Sequence, residues 1–193
     1  KSPQQMLSAL AKSYWADKNK VDFKKVHVTS IMPCTAKKYE IGRDEYMSST
    51  GTQDTDVVLT TRELARMIKA AGIDFANLPE ENADDLLGAY TGAGTIFGVT
   101  GGVMEAALRT AYCLITGEAK PPAIEFQAVR GMDGVKTATI DIKGTKVNIA
   151  VAHQMGNVEK VLDEVREDLK AGKKPRYDFI EVMACRGGCI GGG

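Results

Sequence analysis

Two β-rich runs in this 193-residue chain each deliver the backbone almost directly onto a cysteine, and this restricts the fold more than any other feature. The first, Val26 to Met32, is stopped by Pro33 and followed by Cys34. The second, Tyr177 to Met183, leads through Ala184 into Cys185. Short apolar runs rich in β-branched residues and bounded by turn formers read as buried strands. Further strands are expected at Val57–Leu59, Glu125–Val129, Val135–Ile142 and Lys146–Ala152, with a tight turn at Lys143-Gly144 joining the last two.

Helical segments alternate with these runs. Ser2-Pro3 is a helix start, with Ser at the cap and Pro in the first turn; Met6, Leu7, Leu10, Ala11 and Tyr14 continue the helix to about Trp15. Thr60 or Thr61 caps a helix from Arg62 to Ala70, stopped by Gly72. A helix from Val103 to Thr116 ends at Gly117, and another covers Val158 to Leu169. Residues Asn77 to Thr95 read as irregular, and Pro121-Pro122 as a break. The alternation predicts an α/β fold, a largely parallel sheet flanked by helices with one antiparallel hairpin. Ligand sites in such sheets collect at the carboxyl ends of strands, where Cys34 and Cys185 fall.

Composition removes several functional classes. Lys plus Arg and Asp plus Glu number 25 each, so the chain is formally neutral and presents no nucleic-acid-binding charge excess. No apolar run reaches the roughly 18 residues of a membrane span, so no such span is expected. Four cysteines, with no secretory signal and two of them in a glycine cluster, point to metal ligation in a reducing compartment rather than to disulfides. The absence of an initiator Met and the terminal Gly191-Gly192-Gly193 suggest an excerpt of a longer polypeptide.

Three segments carry candidate chemistry. In Met32-Pro33-Cys34-Thr35-Ala36-Lys37-Lys38-Tyr39-Glu40 a thiol stands at a strand-to-loop junction, with an ammonium three residues on that favours a thiolate or an anionic ligand. Taken alone, the segment is better described as a buried structural cysteine beside a solvated Lys-Lys pair. In Cys185-Arg186-Gly187-Gly188-Cys189-Ile190-Gly191-Gly192-Gly193, two thiols four apart lie among glycines that let backbone approach a ligand, an arrangement suited to an iron–sulfur cluster. Zinc fits less well without Cys-x2-Cys pairs. In Gly92 to Glu105, glycines open a helix as in a dinucleotide loop, but no strand precedes them; a helix N-terminus against an anionic group is the other reading. Cys113 reads as core packing in mid-helix, and neither His27 nor His153 has a Cys or Asp partner evident from sequence.

These segments resemble the iron–iron hydrogenase family. Met32–Glu40 is similar to the second signature of its catalytic H-cluster domain, and Glu181–Cys189 with its glycine tail to the third. Ile96–Arg109, Lys1–Gln5 and Thr60–Leu64 extend the likeness nearly end to end, so residues 1–193 are expected to be a partial H-cluster domain, most of one of two lobes. The resemblance implies a [4Fe-4S] cluster joined to a di-iron subcluster carrying CO, cyanide and azadithiolate. By motif position, Cys34, Cys185 and Cys189 resemble cluster ligands, Cys189 the one that also bridges to the di-iron unit. Lys37 resembles the lysine that hydrogen-bonds a cyanide, a charge-assisted contact. Met32, Met183 and Phe97 resemble apolar walls around the di-iron unit, and Ser2, Pro3 and Gln4 further pocket residues. The family's first signature, a Thr-Ser-Cys-Cys-Pro-type segment, would lie upstream; it carries the fourth cluster ligand and a proton-shuttling cysteine. Arg186 stands where the family pattern has Pro, and a cation there would raise the cluster's potential.

The implied activity is reversible oxidation of H2 to protons and electrons, with iron as Lewis acid and a nearby amine as proton acceptor. Electrons would pass to ferredoxin or to partner iron–sulfur or flavin subunits, in the cytoplasm or alternatively the periplasm. The rival readings are a non-catalytic iron–sulfur protein assembly factor of the same superfamily, an H2-sensing hydrogenase, and a nucleotide-binding module at Gly92–Gly98.

Overall fold

The computed structural model describes residues 1–43, 47–88, 91–119, 121 and 123–192. Pro122, the second proline of the expected break, and Gly193 at the end of the glycine tail lie outside the described residues. The chain divides into two compact units, Lys1–Tyr90 and Thr91–Gly192. No helix among the described residues is long and apolar enough to cross a membrane.

In the first unit, helix α1 (Pro3–Leu10) starts behind Ser2 as its capping residue, with Pro in the first turn. It passes through a π-helical turn, Ala11–Trp15, into α2 (Ala16–Lys18). Its amphipathicity is inverted. Of the residues whose spacing predicts the helix, Met6, Leu7, Leu10 and Tyr14 are exposed and only Ala11 is buried, where it joins the polar Gln5, Ser8 and Lys12. The reason is the segment they face. Lys12 Nζ reaches Gln53 O at 2.6 Å and Asp56 Oδ1 at 2.8 Å, and Ser8 Oγ accepts from Thr55 Oγ1 at 2.7 Å. Burying a polar group costs free energy unless it is hydrogen-bonded; this segment supplies partners for Ser8 and Lys12, whereas neither polar atom of the Gln5 side chain has one among the described residues.

Strand β1 (Thr29–Met32) pairs in parallel with β2 (Val57–Thr60), Met32 opposite Thr60. The expected strand from Val26 is shorter at its start. There Val28 N donates to the Asp56 carboxylate at 2.7 Å instead of to a ladder partner. β1 is not fully buried either: Thr29 and Ile31 share an exposed face, alternating with the half-buried Ser30 and Met32. β2 runs directly into α4 (Thr61–Ala70) through a capping box. Thr60 Oγ1 accepts from Glu63 N while Glu63 Oε2 accepts from Thr60 N, satisfying two of the helix's orphan donors. Between β1 and β2 lies α3 (Ala36–Ile41).

The second unit is an α/β layer arrangement. Its four strands run in the order β3 (Gln127–Ala128), β4 (Val135–Ile142), β5 (Thr145–His153), β6 (Phe179–Met183). β4–β5 is the expected hairpin, turned by Lys143 and Gly144 at φ 51° and 82°, the two positive values that a type I′ turn requires. β6 joins β5 in parallel. β3 keeps two residues of its expected five. Residues 92–95, expected to be irregular, fall in the short helix α5 (Gly92–Ile96).

β5 divides its side chains between two helices. Ile149 and Val151 pack with Met104 and Leu108 of α6 (Gly102–Thr116). Ala150 and Ala152 face Val158 and Val161 of α7 (Met155–Lys170), small residues where that helix approaches. All four β5 residues are essentially fully buried, and a side chain like that of Ile149 contributes about 2–3 kcal/mol.

Candidate metal centre

In the first unit, β1 ends at Met32, and Pro33 carries the chain to Cys34, which is buried at the start of the turn into α3. Lys37 and Lys38 follow on α3 and diverge. Lys38 Nζ donates to Val58 O and pairs with Glu63, both at 2.8 Å, tying α3 to β2 and α4. That contact and the Thr60 N–H hold the Glu63 carboxyl down at about 2. Lys37 Nζ pairs with Glu40 at 2.9 Å. Lys37 is thus half-buried, whereas Lys38 stays exposed although it is paired. Ser2 donates to the same Glu40 through both its N–H and its hydroxyl, at 3.0 and 2.9 Å. Beside it, Gln4 Oε1 accepts from Ser30 Oγ of β1 at 2.5 Å, which sets Gln4 against the strand that ends at Met32. Ser2, Gln4 and Lys37 are thus gathered around one strand end.

In the second unit, β6 ends at the buried Met183, and Cys185 and Cys189 follow, both half-buried, in a loop with a single 3-10 turn from Cys189. That loop is stitched to the segment after Phe97. Thr100 N donates to Gly187 O and Ile190 N to Gly98 O, both at 3.1 Å. The glycines serve this closure. Gly188 has φ +106°, and a Cβ there would stand 2.6 Å from Gly98 O and Thr100 N. The close approach at Gly188 is to backbone of the same unit, while Gly187 has open space beside it. The contacts bring Phe97, Met183, Cys185 and Cys189 into one neighbourhood.

The helix that follows, α6, has its positive end filled. Glu181, a buried acid on β6, accepts from Gly101 N and Met104 N, both at 2.7 Å. An anion at a helix N-terminus is favourable, and here the protein supplies its own. The anionic group allowed for by the glycine-led segment is this carboxylate, and the end of α6 that would take a dinucleotide phosphate is occupied by it.

Both acids stand in the quoted motifs, but neither has a role assigned from sequence. Glu40 could have been found from its i, i+3 spacing to Lys37. Glu181 shares the core face of β6 with Met183, and a charge on a core face needs a partner. Two other residues differ from expectation. Cys113 is only half-buried, beside Leu114, which is 81% exposed. His27 Nδ1 lies 3.8 Å from Asp56 on an exposed side chain, a contact across 29 residues that local sequence does not reveal.

None of the four cysteines is in a disulfide. Among the described residues, no group of three or more His, Cys, Asp and Glu side chains forms a self-sufficient metal site in either unit. The donors present at the two strand ends are thiols, one buried and two half-buried, on turns rather than inside regular elements. Soft thiolate donors suit an iron–sulfur group and not a hard oxygen-seeking cation, so the residues fit the group that the resemblance implies.

The chain is 58% identical over its full length to the periplasmic [Fe] hydrogenase large subunit of Nitratidesulfovibrio vulgaris, covering 44% of it. It is 53% identical to the NADP-reducing hydrogenase subunit HndD of Solidesulfovibrio fructosivorans, covering 32% of that protein. At 31% identity it matches a probable cytosolic Fe-S cluster assembly factor of Drosophila virilis, covering 41%. A solved variant of the [FeFe]-hydrogenase HydA1 from Chlamydomonas reinhardtii superposes with a TM-score of 0.78 at 39% identity, over all of this chain and 54% of that one. The chain thus spans half or less of the length of these curated relatives. The model of the iron only hydrogenase large subunit, C-terminal domain, matches residues 1–193, and the chain belongs to that family.

Proposed function

We propose that this chain is part of the catalytic domain of an [FeFe] hydrogenase, its two units together making up that part, and that the full protein oxidises H2 reversibly to protons and electrons. The observation that carries the reading is the delivery of thiols from the carboxyl ends of β1 and β6, in a family whose more similar relatives are named hydrogenases. Cys34, Cys185 and Cys189 would bind the [4Fe-4S] cluster, with Cys189 also bridging to the di-iron subcluster. When bound, the H-cluster supplies the Lewis-acid and redox chemistry that splits H2. The chain's own residues bind, orient and exclude water. Lys37 offers an ammonium to an anionic cyanide ligand. Met32, Met183 and Phe97 form apolar walls that keep water from the group, and Ser2, Pro3 and Gln4 line the remaining side. The fourth cluster ligand and the proton shuttle belong to the remainder of the catalytic domain. Electrons pass to ferredoxin or to partner iron–sulfur or flavin subunits. The cytoplasm is the assigned compartment, and the name of the 58%-identical relative makes the periplasm its competitor; fractionation decides between them.

The test is the infrared spectrum of the full-length protein matured without oxygen. Sharp bands of iron-bound CO and cyanide are expected. Iron and sulfide without those bands would transfer the protein to the assembly-factor reading, which the 31%-identical relative represents. Robust H2 turnover would in turn set it apart from an H2 sensor.

A further inference from the structure

Three polar groups of the first unit meet on one carboxylate that the proposed reading leaves without a role. Glu40 Oε1 accepts from Ser2 N, and Glu40 Oε2 accepts from Ser2 Oγ and from Lys37 Nζ. The side chains of Lys37 and Glu40 are only 19% and 14% exposed, so water competes weakly for the pair. Ser2 precedes α1 as its capping residue, yet its side chain makes no capping bond to that helix. Its hydroxyl is used by Glu40 instead. The next residue, Pro3, has no N–H to offer. Glu40 therefore places a fixed negative charge at the positive end of α1 and beside the Lys37 ammonium.

A lysine has four rotatable bonds, and holding it in one conformer costs rotamer entropy. Glu40 is one helical turn away on α3, so the pairing geometry is built into the helix. It takes one of three ammonium donors, and fixing one fixes the directions of the other two. Lys38 shows the contrast: its ammonium is committed to Val58 O and Glu63, which belong to the scaffold.

We propose that Glu40 is the positioning residue of this half-site: one carboxylate fixes both Lys37 and Ser2, and so sets the direction in which Lys37 presents its remaining donors to an anionic ligand. The functional half of this statement rests on the reading of Lys37 as a ligand-facing cation; the positional half does not.

The experiment compares full-length wild type and E40Q, which keeps the size of the side chain and removes its charge. In protein prepared without the cluster, the rate of acetylation of individual lysines by acetic anhydride is read by mass spectrometry. Losing one charge-assisted contact worth about 1 kcal/mol makes Lys37 roughly 5-fold more reactive. Lys38 should keep its wild-type rate. Equal Lys37 rates in the two proteins overturn the proposal, as does an equal acceleration of Lys37 and Lys38, which would mean general loosening. In matured protein, E40Q should shift the cyanide stretch while retaining the CO bands, with H2 turnover down about 10–100-fold. A shift-free cyanide band overturns the functional half. Absence of cyanide bands in the wild type sinks the hydrogenase reading, and the acetylation rates still decide whether Glu40 positions Lys37.

Discussion

Replacing Glu181 by alanine removes the acceptor for two backbone donors, Gly101 N–H and Met104 N–H, each 2.7 Å from a carboxylate oxygen. Glu181 is 7% exposed, and Met104, Gly101 and Gly102 are buried, so water does not readily replace the lost acceptor. A hydrogen bond to an ionised group contributes about 1.5–3 kcal/mol, and each orphaned buried donor costs about 1–3 kcal/mol. The two contacts share one carboxylate and do not simply add. The expected cost of E181A is therefore about 3–5 kcal/mol, in the range for breaking a buried charge network. E181Q keeps the volume but offers one carbonyl oxygen and turns an NH2 toward the second donor, for about 2–3 kcal/mol. The assay is amide hydrogen exchange in the full-length protein. A loss of 3 kcal/mol corresponds to about 100-fold faster exchange at Gly101 and Met104. Protection within about 3-fold of wild type at both amides in E181A would refute the claim that this carboxylate holds the start of α6.

Three further outcomes follow from the geometry. T60A removes half of the capping box of α4 and should destabilise by about 1 kcal/mol, seen as a lower urea midpoint with an unchanged slope. Burial opposes ionisation of Glu40, but its contacts with Lys37 and Ser2 outweigh that and lower its pKa below the ordinary 4.5; its stabilisation is then full above about pH 4.5 and lost as pH falls through the folded value. Urea unfolding of E40Q should accordingly show a shallower acid limb than wild type. G188A meets backbone at 2.6 Å from a conformation that side chains rarely adopt and should cost at least ~2 kcal/mol, whereas G187A, at φ +75° with open space, should cost about 1–2 kcal/mol. Iron retained per chain after anaerobic reconstitution should fall in G188A and hold in G187A.

Most of the second unit was legible because its determinants are local. Alternating apolar residues marked β4 and β5, Lys143-Gly144 marked their turn, and Gly117 marked the end of α6. The first unit was less so, because α1 buries its polar face. Period 3.6 located the helix but not its inward side, which buries Ala11 together with Lys12 and Ser8, whose partners lie in residues 53–56, some 41 to 47 positions away. Periodicity reports which residues share a face, not which face is turned inward, and only long-range polar partners decide that.

The same reasoning explains why the cysteines were visible and the acids beside them were not. A thiol at a strand end, in a run of glycines, is conspicuous in one dimension. A carboxylate that closes a helix is conspicuous only once both elements exist: Glu181 meets α6 across 77 and 80 residues, and Glu40 meets α1 across 38. Both acids stand at helix N-termini next to the segments that carry the candidate ligands, and both are single anions shared among several donors. In each unit the strand end that delivers a thiol is therefore flanked by a helix whose starting point is fixed by an internal carboxylate. Removing either acid is expected to loosen the neighbouring half-site before it unfolds the unit around it.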